Sequence, residues 1–192
     1  EIRDGGTSFI RITDNGSGIN EEDIETAFIR HATSKIEKIE DLDSIISLGF
    51  RGEALASIAS VSQVEMITKT ADSLSGIKLV VDGGAVTEKT DAAANTGTSI
   101  TVKNIFYNVP ARRKFLKKPS VESGYISDIV NKMALGHPEI SIKYINNSNT
   151  MLHTSGNNDL KTAFFHVYGR EMLGQMLDID SSESGMRVYG LI

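Results

Sequence analysis

Asp14-Asn15-Gly16-Ser17-Gly18-Ile19 sets one carboxylate at the head of a glycine-rich turn. A carboxylate at the end of a strand can accept a hydrogen bond from an exocyclic amine such as that of adenine. Gly16 and Gly18 remove side chains, so that a flat base or sugar can lie against the backbone. Further on, Gly49-Phe50-Arg51-Gly52 places glycines just ahead of a helix. Outward backbone N–H groups and the helix dipole favour an anion at such a place. Between these segments, Thr33, Ser34 and Lys35 offer hydroxyls and a cation suited to closing over phosphates. Thr98, in Asn95-Thr96-Gly97-Thr98-Ser99-Ile100, adds a hydroxyl that could stand beside Asp14 across a sheet. Taken singly, each segment is also an ordinary turn: an Asx-turn at Asp14, a helix-ending glycine at Gly49, the start of a strand at Gly97. Neither a Walker A loop nor a dinucleotide fingerprint occurs. His31, His137, His153 and His166 lack metal-site spacing and read as structural or surface residues.

The elements that must position these groups are legible. Phe9 to Thr13 alternates as a strand and runs into the Asp14 turn. Asn20, followed by Glu21, Glu22 and Asp23, predicts a helix start, with Ile24, Ala27 and Phe28 as its buried stripe. Residues 30 to 48 read as a polar connector with short helical pieces, and Gly52 to Ser60 as a tightly packed helix. Strand-like runs follow at Gln63 to Lys69, Gly76 to Asp82, Ala85 to Lys89 and Thr98 to Lys103, with Asp82-Gly83-Gly84 as a hairpin signal. A helix over Ser120 to Leu135 carries Ile126, Ile129, Val130, Met133 and Ala134 on one side, and Gly136-His137-Pro138 stops it. Strands near Ile140 to Ile145 and Thr150 to His153, then a helix over Asp159 to Tyr168, complete the run. Consecutive strands with helices gathered elsewhere predict an α+β fold: a mixed, mostly antiparallel sheet with helices on one face.

Composition narrows the function. With 192 residues, 40% of them hydrophobic and 23% charged, the chain can bury a real core. No long apolar run suggests a membrane span, no signal peptide opens the chain, and the absence of cysteine excludes disulfides and thiolate metal sites. A formal net charge of -5 argues against strong DNA binding by charge alone. The local exception is the basic run Arg112, Arg113, Lys114, Lys117 and Lys118, which reads either as a solvated face or as a DNA contact. Glu1 to Gly6 looks like the end of a strand entering a turn, and Met186 to Ile192 like a strand without a partner. Both ends read as cut from a longer chain.

The segments Asp14 to Ile19, Arg30 to Ile36, Gly49 to Leu55 and Gly97 to Val102, in this order and spacing, resemble the motifs of the GHKL ATPases. That superfamily takes in gyrase-type topoisomerases, heat-shock chaperones, sensor histidine kinases and MutL mismatch-repair proteins. Arg30-His31-Ala32-Thr33-Ser34-Lys35 and Phe106-Tyr107-Asn108-Val109-Pro110-Ala111-Arg112-Arg113-Lys114-Phe115-Leu116 are similar to the MutL branch in particular. The resemblance implies a two-layer α/β sandwich of GHKL (Bergerat) type over residues 1–184. It also implies the first strand of a ribosomal-protein-S5-like second domain over 185–192. Asp14 would bind the adenine amine, and Gly16, Gly18 and Thr98 would shape the base site. Thr33, Ser34 and Lys35 would belong to an ATP lid, and Gly49, Phe50, Arg51 and Gly52 would line the triphosphate. ATP and Mg²⁺ are the implied ligands. DNA (weakly, through Arg112, Arg113 and Lys114), a MutS-type mismatch sensor and a second N-terminal domain, from the same protein or a paralogue, are the implied partners. The implied location is cytoplasmic and nucleoid-associated in a bacterium, nuclear in a eukaryote. ATP binding and hydrolysis would close the lid, pair the domains and couple mismatch recognition to strand removal. The family's general-base glutamate and its Mg²⁺-holding asparagine lie on a helix ahead of the segment matching Glu1. The lysine that reaches the γ-phosphate comes from the second domain. Residues 1–192 alone are therefore expected to hydrolyse ATP poorly. The alternative is an ATP-gated dimerisation and DNA-binding module without hydrolysis.

Overall fold

The computed structural model describes residues 1–32, 49 and 51–192. They divide into two compact units, one of 2–117 and one of 118–192 that also takes in Glu1.

In the first unit, alternation of apolar and polar residues builds an antiparallel sheet. Its strands are β1 (Ile2–Arg3), β2 (Phe9–Thr13), β3 (Gln63–Lys69), β4 (Gly76–Asp82), β5 (Ala85–Ala92) and β6 (Gly97–Lys103), side by side in the order β5-β4-β3-β6-β2-β1. Each of these neighbouring pairs is antiparallel. Register is set by one apolar face. Val64, Met66, Leu79, Val81 and Val102 are buried there, packed with Ile24 and Ala59 and flanked by Ile10, Phe28, Leu55 and Ile100. Helix α1 (Ala54–Ala59) and a 3-10 turn over Thr26–Phe28 supply the covering layer. This is the α+β sandwich expected from the sequence. Gly83 and Gly84, both with positive φ, form the β4–β5 hairpin turn that Asp82-Gly83-Gly84 announced. Tyr107 donates to the Asp82 carboxylate and Asn108 Nδ2 donates to Ser60 O at 3.0 Å, tying the following segment and helix α2 (Pro110–Arg113) to this unit.

The helix expected after Asn20 is not regular. Residues 21–25 are turns, and Phe28 N and Ile29 N reach back only three residues, to Glu25 O and Thr26 O. Glu21 and Glu25 would repel each other one helical turn apart. Lys89 Nζ donates to the Glu21 carbonyl at 3.4 Å and pairs with the Glu25 carboxylate at 3.1 Å. Ile24 is nevertheless fully buried, as its stripe predicted. The connector expected over 30 to 48 falls outside the described residues from residue 33 onward.

In the second unit, α3 (Pro119–Gly136) packs on α4 (Leu160–Leu173), and β7 (Lys143–Asn146) pairs antiparallel with β8 (Asn149–His153). The strand expected from Ile140 begins only at Lys143, because Ile140 N closes a turn onto His137 O. On α3 the expected stripe splits. Ala134 is buried with Ile126 and Val130 half-buried, whereas Ile129 and Met133 are 58% and 44% exposed. They lie on an adjacent helical row with Val121 and Tyr125, so the apolar arc is wider than its neighbours cover. Asp159 caps α4 by accepting from Lys161 N and Thr162 N, and Gly169, at φ +83°, breaks the helix just past Tyr168. Strand β10 (Met186–Leu191) pairs with β9 (Asp178–Glu183) instead of lacking a partner. β9 escaped notice because Asp-Ile-Asp-Ser-Ser-Glu shows no apolar alternation; Arg187 instead grips Asp180 with two hydrogen bonds of 2.9 and 2.8 Å. The 184/185 boundary expected from the sequence falls in the tight β9–β10 turn.

Candidate functional site

Strand alternation on the buried face of the first unit generates transverse rows. One is apolar: Ile12 pairs Ile100, Ile100 pairs Met66, and Met66 pairs Leu79. The next row, at the sheet end, is polar: Asp14 beside Thr98, and Thr98 opposite Thr68. The three strands β2, β6 and β3 therefore deliver a carboxylate and two hydroxyls side by side. Asp14 N donates to Thr98 O at 2.8 Å, and Thr98 N returns a bond to Asp14 Oδ1 at 3.2 Å. Gly16 N also donates to Asp14 Oδ1, at 2.9 Å, which closes the Asx-turn. The turn and the binding geometry are thus the same structure: two N–H groups fix Oδ1. Among the described residues no donor reaches Oδ2. Asp14 remains exposed, so Oδ2 is open to an incoming donor.

The Thr98 hydroxyl, which the sequence allowed to stand beside Asp14, makes its hydrogen bond on the other side, to β3. It lies 3.0 Å from Thr68 Oγ1, itself 1% exposed, and only the Thr98 backbone serves Asp14. Thr68 Oγ1 also accepts from Ile19 N at 2.9 Å, so the far end of the glycine turn is pinned to β3. Close backbone approach makes glycine necessary at Gly97, where φ is +121° and a Cβ would stand 2.1 Å from Asp14 O. Gly18 answers to the same constraint, since a Cβ there would meet Lys69 O at 2.1 Å.

Beyond Ile19 opens a cavity of about 1260 Å³. Its wall includes Gly18, Ile19, Asn20, Asp23, Gly49, Arg51, Gly52 and Ser57. Glu53 organises one side, with its Oε1 3.0 Å from Arg51 Nε and 3.3 Å from His31 Nδ1. His31 N donates to Gly52 O at 3.0 Å, clasping the two segments.

The sequence-predicted residues thus fall into adjacent groups. Asp14, Gly16 and Thr98 form the turn and polar row, whereas Gly18, Gly49, Arg51 and Gly52 line the cavity. Thr33, Ser34, Lys35 and Phe50 lie outside the described residues. Sequence reasoning missed Thr68, although a hydroxyl at the inward position after Val64 and Met66 was a readable signal. It also passed over His31 and Glu53, whose roles depend on a contact between distant segments. Arg112, Arg113 and Lys114 are all exposed, as is Phe115 at 80%.

An antiparallel sheet with helices on one face, a carboxylate turn at the sheet end and a glycine-framed cavity beside it define the GHKL class of fold. Residues 2–109 match the model of the histidine kinase-, DNA gyrase B- and HSP90-like ATPases, and the chain belongs to that family. It is 52% identical over 192 residues to the DNA mismatch repair protein MutL of Agathobacter rectalis, covering 100% of this chain and 30% of that protein. Against the MutL of Thermoanaerobacter pseudethanolicus it is 47% identical over 188 residues, 98% of this chain and 31% of the relative. The chain therefore spans about a third of the length of the curated relatives it matches. Among solved structures, the Aquifex aeolicus MutL ATPase domain complexed with ADP shares the fold at a TM-score of 0.72 and 24% identity, over 94% of this chain and 62% of that one. The N-terminal domain of a DNA repair protein superposes at 0.75 with 25% identity, over 99% and 60% of the respective chains.

Proposed function

We propose that this chain forms the ATP-binding part of a MutL-type DNA mismatch repair protein, with the adenine amine held by Asp14. The observation that carries the proposal is the fixing of Asp14 Oδ1 by Gly16 N and Thr98 N, which aims Oδ2 outward as an acceptor. Gly18 and Ile19 continue from that turn into the cavity, whose wall also carries Gly49 and Arg51, the latter paired with Glu53. The cavity exceeds the roughly 300–1,000 Å³ of common small-molecule sites, so its size admits a nucleoside triphosphate. Thr33, Ser34, Lys35 and Phe50 complete the site in this reading.

Mg²⁺ fits this donor set in a limited way. Among the described residues no group of three or more His, Asp and Glu could hold a metal. Asn20 and Asp23 are oxygen donors on the cavity wall, which suits an ion carried mainly by phosphates and water. When bound, Mg²⁺ would neutralise phosphate charge. Hydrolysis by residues 1–192 alone is proposed to be slow, because the resemblance assigns the general base to another segment.

In the intact protein, ATP binding would favour a closed, paired state, its energy coming from tighter binding to that state. Similarity to MutL proteins supports this, along with partnership with a MutS-type sensor and a nucleoid-associated location in a bacterium. Among the described residues no helix is long and apolar enough to cross a membrane. Exposed Arg112, Arg113 and Lys114 support weak DNA contact. A second, S5-like domain whose first strand lies in residues 185–192 belongs to this reading through the resemblance to the MutL proteins.

The test is calorimetric titration with a non-hydrolysable ATP analogue and Mg²⁺, comparing the native chain with Asp14→Asn. The substitution turns Oδ2 into a donor facing a donor, and a loss of about a hundredfold or more is expected. Equal affinity in the two proteins would remove Asp14 from the base site. No binding by the native protein would refute the function.

A further inference from the structure

We propose that Thr68 is a positioning residue for base recognition, acting through Ile19 and Thr98 without touching the nucleotide. This inference rests on the adenine reading of Asp14 given above. Thr68 comes from the middle of the sequence, on a strand that no motif marked. Its oxygen nonetheless sits at the junction of the two parts of the site. Ile19 N donates to it at 2.9 Å, and Ile19 lines the cavity. Thr98 Oγ1 lies 3.0 Å away and Gly97 O 3.2 Å away, while Thr98 N holds the Asp14 carboxylate. Among the described residues, Thr68 is the side chain that bonds to both the cavity wall and the Asp14 row.

A hydroxyl has one proton and two lone pairs. The Ile19 N–H uses one lone pair of Thr68. The proton of Thr68 then goes either to Gly97 O or to Thr98 Oγ1. With Thr68 at 1% exposure, water has almost no access to replace any of these bonds. Removing the hydroxyl leaves Ile19 N–H without its acceptor and frees the Thr98 hydroxyl to turn. Both ends of the glycine turn lose a constraint, and the aim of Asp14 Oδ2 loosens with them. A residue that only filled the core would affect every ligand alike. A positioning residue must affect recognition of the amine more than recognition of the phosphates.

The experiment compares Thr68→Val, which keeps the shape without the hydroxyl, and Thr68→Ser, which keeps the hydroxyl, in the intact protein. The probes are a non-hydrolysable ATP analogue and purine-riboside triphosphate, which lacks the exocyclic amine. For Thr68→Val, affinity for the ATP analogue is expected to fall about tenfold while that for the purine-riboside compound stays near native. Thr68→Ser should restore the preference for the amine. Thermal unfolding of each variant records any general loss of structure. If Thr68→Val keeps the native ratio of the two affinities, or Thr68→Ser fails to restore it, the positioning role is overturned. Asp14→Asn separates that failure from a failure of the adenine reading. If Asp14→Asn still abolishes ATP binding, the adenine reading survives; if Asp14→Asn binds normally, both fall.

Discussion

Substituting alanine at Gly97 and at Gly124 is expected to shift stability in opposite directions, although the chemical change is identical. At Gly97 the new Cβ would lie 2.1 Å from Asp14 O, against 3.4 Å where ordinary contact begins, a shortfall of 1.3 Å. Relief must come from movement of the Asp14 backbone, because the obstructing atom is a carbonyl oxygen. That movement breaks or stretches the 2.8 Å bond from Asp14 N to Thr98 O and the 3.2 Å bond from Thr98 N to Asp14 Oδ1. Each is worth about 0.5–1.5 kcal/mol. Holding alanine at the glycine-favoured φ of +121° adds strain of about 1–3 kcal/mol. Together the loss is about 2–6 kcal/mol, a large part of the roughly 5–15 kcal/mol that holds a typical domain folded. Gly124 lies inside α3, and among the described residues a Cβ there meets no atom within 4 Å. Alanine at that position should stabilise by about 0.5–1 kcal/mol through helix propensity. Urea unfolding followed by far-ultraviolet circular dichroism compares the two variants. Gly97→Ala with a native midpoint would refute the claim that the turn and β6 are welded through this glycine.

Asp14→Asn and Asp14→Ala should separate folding from binding. Asparagine retains an oxygen for Gly16 N and Thr98 N and should stay within about 0.5 kcal/mol of native stability, whereas alanine should lose about 1–2 kcal/mol; equal thermal stability of the two would contradict this. Replacing Arg112, Arg113 and Lys114 with glutamine should flatten the dependence of DNA affinity on salt by about 0.9 in log–log slope per lost duplex phosphate contact, read from filter binding at several salt concentrations. An unchanged slope removes this segment from the DNA surface. The Asp159 carboxyl is held below its usual range, chiefly by the Thr162 hydroxyl and then by the Lys161 and Thr162 backbone N–H groups. Its lowered folded value means the stabilisation is complete above the ordinary carboxylate value of about 3.9 and disappears as pH falls through the folded value. Asp159→Ala should therefore be less stable than the native chain at neutral pH, with the gap closing in acid; a pH-independent gap in melting temperature would refute that linkage.

What the sequence made legible was set by local rules. Strands β2, β3 and β4 begin and end where their alternation does, and the hairpin glycines adopt the positive φ that their turn requires. Elements governed by distant partners were less visible. The turns after Asn20 are met by Lys89, which reaches the Glu21 carbonyl from a distant strand. β9 has Ile179 as its one apolar residue and is a strand because β10 pairs with it. In the site, Asp14 and the glycines announced themselves by type and spacing. Thr68 did not, since its meaning comes from Ile19 and Thr98, which reach it only once the sheet has formed.

The core therefore does more than hold the sheet together: it sets the alignment of the site. Val64 pairs Val102 and Met66 pairs Ile100, and the same register brings Thr68 opposite Thr98. Moving β6 by one residue would bring Gly97 or Ser99 opposite Thr68 and turn the Thr98 hydroxyl to the other face. The same slip would send Val102 out of the apolar layer, where it is now 8% exposed. Burial thus penalises the one-residue slips that would misalign Asp14, Thr98 and Thr68. The face changes from apolar to polar one row beyond Ile12, Ile100 and Met66, at Asp14, Thr98 and Thr68. Hydroxyls and a carboxylate are tolerated there because backbone N–H groups and one another satisfy them. The site is the continuation of the core face past the point where apolar packing ends, which is why its precision can come from strand register and needs few dedicated contacts.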